Sequence, residues 1–236
     1  MKKQNAARLQ KTAARAAQAA ERLYGKRVIA LSKYTVVYSK ENEGIYISHL
    51  DFLRTIGRSL RRAGLPVKYS EGFNPHVCLS FASPLGVGIS SGCEMFSVEL
   101  LNEVNKEEML KSLNEALPKS IRALKVSDGE ADFSKIAYAD YEIITEGDFD
   151  AEAFMSMSEI LMPKKTKKGI KEVNIKEDIF SIGGNNKVYK ATLKTGNNGN
   201  LKPMLLTEAI KKYVSPEIGF CSYRRICFKD AEQNIL

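Results

Sequence analysis

Cysteine is scarce and poorly placed for ligation. Cys78, Cys93, Cys221 and Cys227 form no CxxC pair, so the spacing of a zinc site or an iron–sulfur centre is missing. Histidine is scarcer still, with only His49 and His76, and two histidines beside unpaired cysteines offer no ligand set. No metal and no cofactor is therefore expected, and the cysteines are expected reduced and buried in strands. No apolar run approaches the roughly 18 residues needed to cross a bilayer, and the N-terminus lacks the apolar core of a signal peptide. The expectation is a soluble, cytoplasmic protein with no membrane partner. Phosphate-loop signatures are missing too. No GK[ST] follows the glycines of SPLGVGISSG, residues 83–92, and Gly86-Val87-Gly88 lacks the third glycine of a dinucleotide fingerprint. No motif supports a serine or cysteine nucleophile.

What is present begins with charge, and its location decides its meaning. The chain has 236 residues and a formal net charge of +8. Residues 1 to 33 hold nine of the 36 Lys and Arg but only one of the 28 Asp and Glu. The rest of the chain therefore balances at 27 of each, and the basic character belongs to the N-terminal segment. Within it, residues 5–24 are alanine-rich and helical by propensity, with little apolar area to pack. This reads as a basic extension, either an arm for RNA or a solubilising tail.

The most constrained stretch is residues 46–88, which contains both histidines and three of the seven prolines. Ser48 caps a helix over 49–63, with Asp51 suiting the positive end of its dipole. Leu50, Leu53, Gly57 and Leu60 are expected to form its packing stripe. Arg54, Arg58, Arg61 and Arg62 recur on another face, with no acid among them to pair, and Gly64 and Pro66 end the helix. Next comes the turn YSEGFNPH, residues 69–76, whose amides and side chains suit a ligand.

The same stretch carries a resemblance. HLD, RRAGLP, YSEGFNPH and SFASPL occur in order between Tyr34 and about Leu101, and this pattern resembles the signature of the radical-SAM-linked family of unknown function. That domain is found beside or fused to cobalamin-binding radical SAM proteins. The resemblance implies a radical SAM protein as partner and, because members accompany ribosome-related and RNA-processing genes, a role with RNA. This chain lacks the three-cysteine cluster motif and is not itself the radical enzyme.

The order of elements predicts an α+β protein. A strand at 34–39, extended at 45–48, leads into helix 49–63. Strands near 67–70, 77–82 and 94–101 follow, then helix 106–117 and a strand at 121–126. This is a β-α-β-β-α-β series with antiparallel sheets, the ferredoxin-like arrangement. A second series is expected from a strand at 138–145, a helix at 150–161, a hairpin of 172–182 and 186–194, a helix at 205–214 and a strand at 220–228. The domain expectation is an extension at 1–33 and tandem ferredoxin-like units at 34–128 and 136–230. The lysine run 163–171, with Arg224 and Arg225, reads as a solvated loop or a second phosphate-contacting edge.

The leading functional expectation is an RNA-binding accessory protein in RNA modification or ribosome maturation, with ribosomal or transfer RNA as candidate ligands. Arg54, Arg58, Arg61, Arg62 and Lys68 would meet phosphates, and Tyr69, Phe73, Asn74 and His76 a base or sugar. An enzymatic alternative places His49 as general acid or base on a ribose hydroxyl. In layout alone, tandem ferredoxin-like units with a histidine at the first helix resemble CRISPR-repeat-processing endoribonucleases. Hydrogen bonding at the helix start is the plainer role for His49, and the reading favours binding over catalysis. A third alternative is an interaction module that docks on the radical SAM partner.

Overall fold

The computed structural model describes residues 31–166, 169–196 and 199–236. The helix expected over 5–24 and nearly all of the basic extension lie outside the described residues, as do Lys167 and Lys168 of the lysine run. The fold is mixed α+β, with one large and mostly antiparallel sheet and few helices.

β1 (Ser32–Lys40) lies beside β3 (Ile89–Leu100) and β4 (Ile121–Asp128), antiparallel to both, so that Val36 faces Phe96 on one side and Val126 on the other. The short β2 (Leu79–Phe81) pairs with the far half of β3. Further along the chain come β5 (Tyr138–Thr145), β8 (Ile179–Asn185), β9 (Val188–Lys194) and β10 (Cys221–Lys229). They extend the same sheet in the order β4-β1-β3-β10-β5-β9-β8. The strands of both expected units thus lie in one sheet. Their junction is the parallel pairing of Tyr223, Arg224 and Arg225 with Ile89, Ser90 and Ser91. This pairing explains why β3 begins at Ile89 and not near 94: serine and glycine read locally as a turn, but a strand partner recruits them.

Among the described residues four helices pack on the sheet, and local chemistry sets their limits. α1 (His49–Arg62) is capped by the Ser48 hydroxyl, which accepts from the Asp51 amide. Gly64, at φ +72°, takes the left-handed turn after it. Its buried side chains are Phe52, Ile56, Ser59 and Leu60, while Leu50 is 65% exposed, so the packing stripe is rotated from the expected one. Large side chains at i and i+4 decide which face goes in. α2 (Lys106–Ala116) starts at Asn105, whose side chain accepts from the amides of Glu107 and Glu108, and it buries Met109 and Leu113. α3 (Ala151–Met155) is far shorter than expected, because the chain turns at Ser156 and Leu161 enters a hairpin. That hairpin, β6 (Leu161–Thr166) with β7 (Gly169–Asn174), stands off the main sheet and takes in most of the lysine run. α4 (Pro203–Tyr213) begins with proline at its first turn.

Three other expectations shift. Residues 42–46 form a 3-10 turn in place of a strand, with Asn42 at φ +49° and Gly44 so close to Ser120 that an added Cβ would lie 2.9 Å from its carbonyl oxygen. The strands expected at 67–70 and 77–82 contract to bridges, Val67 with Leu100 and Tyr69 with Val77, plus β2. The β8–β9 reversal falls at Asn186-Lys187, both left-handed, one step beyond the expected glycines.

Two apolar cores result. One joins Tyr34, Val36, Tyr38, Phe96 and Val98 to Phe52, Ile56 and Leu60 of α1 and to Met109 and Leu113 of α2. The other joins Tyr141, Ile143, Ala191 and Leu193 to Phe154, Leu206 and Ile210. Between them, at the seam of β3 and β10, sits a buried ion pair. Arg225 Nη1 donates to both carboxylate oxygens of Glu94, at 3.0 and 3.1 Å, and the two side chains are 2% and 1% exposed.

Candidate functional site

Helical periodicity puts Arg54, Arg58 and Arg61 along one side of α1. Opposite them runs residues 69–79, and between the two lies a cleft of about 530 Å³. Leu53, Gly57, Val77 and Leu79 give it an apolar lining, with Tyr69, Pro75 and His76 on the loop side. A Cβ on Gly57 would meet Val77 at 3.8 Å, an ordinary contact, so the cleft floor has room for a methyl group there. A volume in this range suits a ligand of nucleotide size.

The electrostatics of the cleft are those of an anion site. Arg54 pairs with Asp51 at 3.1 Å on the exposed surface. The guanidinium groups of Arg58 and Arg61 make no hydrogen bond or ion pair with another described residue; Arg58 only helps to hold the Asp51 carboxyl below its ordinary pKa, after hydrogen bonds from Ser48 and Arg54. Like charges one turn apart cost a helix a few tenths of a kcal/mol, and the favourable dipole near the C-terminus offsets only part of this. The cluster therefore has little use as a stabilising device.

His76 is held by its own loop. The Ser70 hydroxyl accepts from the His76 amide at 3.1 Å and lies 2.9 Å from Nδ1. His76 also borders a smaller hollow of about 160 Å³ with Lys33, Cys78 and Glu99. Phe73 stands fully exposed at the loop tip, and Asn74 is exposed beside it.

The remaining expected site residues lie elsewhere. Arg62 Nη2 donates to the Ala116 carbonyl at 2.6 Å and to the Ser59 hydroxyl at 3.1 Å, tying α1 to α2. Lys68 Nζ donates to Glu99 at 2.6 Å. Arg225, expected at a phosphate-contacting edge, is committed to Glu94. His49 sits at the first turn of α1, edge-on to Phe81 with ring centroids 5.9 Å apart. Burial, followed by the charge of Lys40, pushes its pKa below the ordinary histidine value.

His49 belongs to a second, tighter site. With Tyr38, Lys40, Phe52, Phe81, Ser83 and Leu85 it lines a recess of about 10 Å³. Lys40 is 2% exposed, donates to the Ile47 carbonyl at 3.0 Å, and lies 5.6 Å over the Phe52 ring. Sequence reading passed over Lys40, although the alternation Tyr34, Val36, Tyr38, Lys40 places it on the inward face of β1.

The fold and the cleft define a mixed α+β protein with a cationic, apolar-lined groove along one helix. The chain belongs to the DUF2344 family, described as "Uncharacterized protein conserved in bacteria", which matches residues 33–203 and so spans both the cleft and the recess. Among solved structures, the one titled "Crystal Structure of an Unknown Protein from Galdieria sulphuraria" is similar at 12% identity and a TM-score of 0.26, over 83% of this chain and 98% of that chain. No curated protein matches.

Proposed function

We propose that the protein binds RNA in the α1 cleft, as an accessory to RNA modification or ribosome maturation alongside a radical SAM partner. The observation that carries this reading is the placing of Arg54, Arg58 and Arg61 around one apolar-lined cleft with Tyr69 and His76, two of the arginines making no ion pair with another described residue. Arginine forks suit phosphate oxygens, and a tyrosine beside an apolar floor suits an unstacked base, the feature that sequence-tolerant RNA binders use. Phe73 at the loop tip adds a second exposed ring. Lys68 and Arg62, engaged with Glu99 and Ala116, are left to hold the walls.

A finer reading of the fold accompanies this one. Each half runs β-α-β-β-α-β, with β6 and β7 inserted in the second. In each half the first strand lies between the fourth and the third, and the second lies outside the third. That pattern supports two ferredoxin-like units fused edge to edge.

The test is the salt dependence of binding to a single-stranded RNA pool. Each lost phosphate contact lowers the slope of log K against log salt by about 0.7 on single strands. Arg58→Ala/Arg61→Ala should flatten it by about 1.4 and weaken binding. An unchanged slope and affinity would reject the cleft as the RNA site.

A further inference from the structure

The recess beside His49 is lined by groups that look for an acceptor and do not find one. Ser83 Oγ is buried without a hydrogen-bond partner among the described residues. The Tyr38 hydroxyl and the His49 ring nitrogens make no hydrogen bond to another described residue. Lys40 carries three N–H donors and uses one on the Ile47 carbonyl. The nearest acid in the core, Glu94, has both oxygens hydrogen-bonded by Arg225. It therefore acts on Lys40 only through space, against the burial that lowers the Lys40 pKa, and the ammonium makes no ion pair with another described residue. A buried charge normally has a counter-ion, because desolvation without one costs several kcal/mol. The walls are otherwise apolar, from Phe52, Phe81 and Leu85, which strengthens any interaction made inside. At about 10 Å³ the recess has room for one oxygen-sized atom. Its outer side is formed by His49 and Phe81, both partly exposed.

We propose that Tyr38, Lys40, His49 and Ser83 form an oxyanion site that receives one terminal oxygen of a phosphate or carboxylate group, the rest of the ligand lying outward past His49 and Phe81. The site is independent of the arginine cleft, although α1 and β2 link them. Leu53 and Leu79 line the cleft while His49 and Phe81 line the recess, about 6 Å away along the helix and about 7 Å along the strand.

The experiment is thermal denaturation of the full chain in sodium phosphate or sodium acetate, each up to about 0.1 M, against sodium chloride at equal ionic strength. A ligand bound only by the native state raises Tm, by about 5 to 10 °C once it exceeds Kd a hundredfold. A rise with phosphate alone assigns a phosphoryl ligand, a rise with acetate alone a carboxylate, and a rise with both the shared oxygen chemistry. Lys40→Met should abolish the rise. If that variant fails to fold, Ser83→Ala should shift the anion titration about tenfold toward higher concentration, the worth of one hydrogen bond to a charged group. Arg58→Ala/Arg61→Ala should keep the full rise, which separates this site from the RNA cleft. The proposal is overturned by no rise with either oxyanion, by an equal rise with chloride, or by a rise that survives Lys40→Met or vanishes with the arginine variant.

Discussion

Replacing Glu94 by Gln tests the seam of the sheet. In the native protein Arg225 directs its donors to partners on two neighbouring strands, β3 and β5, and on the loop after β2. Nη1 reaches both Glu94 oxygens, Nε and Nη2 reach the Tyr141 hydroxyl at 3.1 and 2.9 Å, and Nη2 reaches the Pro84 carbonyl at 3.4 Å. The guanidinium also stacks over Phe228 at 4.8 Å. With both partners about 98% buried or more, water has no access to replace a lost bond. A charge-assisted hydrogen bond is worth about 1.5–3 kcal/mol, and breaking a buried pair from one side costs about 3–5 kcal/mol. Glutamine keeps one acceptor, which sets the expectation at the lower end, about 3 kcal/mol. For a chain of this size that lowers Tm by about 6–12 °C. Glu94→Met/Arg225→Met removes both charges together and should be less destabilised than Glu94→Gln, since no buried guanidinium is left alone. Urea titrations followed by far-UV circular dichroism measure all three proteins. A Glu94→Gln variant within about 1 kcal/mol of the parent would refute the reasoning.

Two further outcomes follow from titrating groups. The folded-state pKa of His49 is depressed by burial and by Lys40, so the unfolded chain takes up its proton first as pH falls. Stability from this site is therefore full above the unfolded pKa of about 6.5 and declines below it. His49→Gln should make the melting temperature less sensitive to pH between 7.5 and 5.5; an unaltered pH profile would contradict the recess geometry. Cys93, whose thiol burial and Glu94 push up to about 12, should resist iodoacetamide at pH 8 in the native protein and react in urea. Rapid native alkylation, read by mass spectrometry, would show the seam to be open.

How far the sequence disclosed this molecule depends on the range of the interaction. Ser48, Asn105 and Gly64 act on their nearest neighbours, and the helices they delimit fall where those residues put them. The arginine face needed only helical periodicity, so Arg54, Arg58 and Arg61 were legible, as were Tyr69 and His76 on the facing turn. Arg62 shares their face on paper, but its partner is a carbonyl on α2, 54 positions away. Arg225 reads locally as an exposed charge at a phosphate-contacting edge, and only its pairing with Glu94 across 131 positions brings it indoors. The start of β3 depends on distant partners in the same way: Ser90 and Ser91 lie beside Arg224 and Arg225 of β10, and Ser91 also lies opposite Lys40 of β1. Lys40 stands apart. Its inward placement follows from the local alternation of β1, although a lysine is a residue type seldom fully buried.

The parallel joint between β3 and β10 also has a consequence in time. Ser91 and Arg225 are 134 positions apart, and at about 5–20 residues per second a ribosome needs roughly 7–27 s to travel between them. Throughout that interval the first half of the nascent chain has a bare strand edge along Ile89 to Ser91 and a carboxylate, Glu94, with no counter-charge. Pairing so distant in sequence is slow to form even once the chain is complete. The early half is thus the part of this protein most in need of a chaperone during synthesis, and the arrival of one arginine ends the exposure.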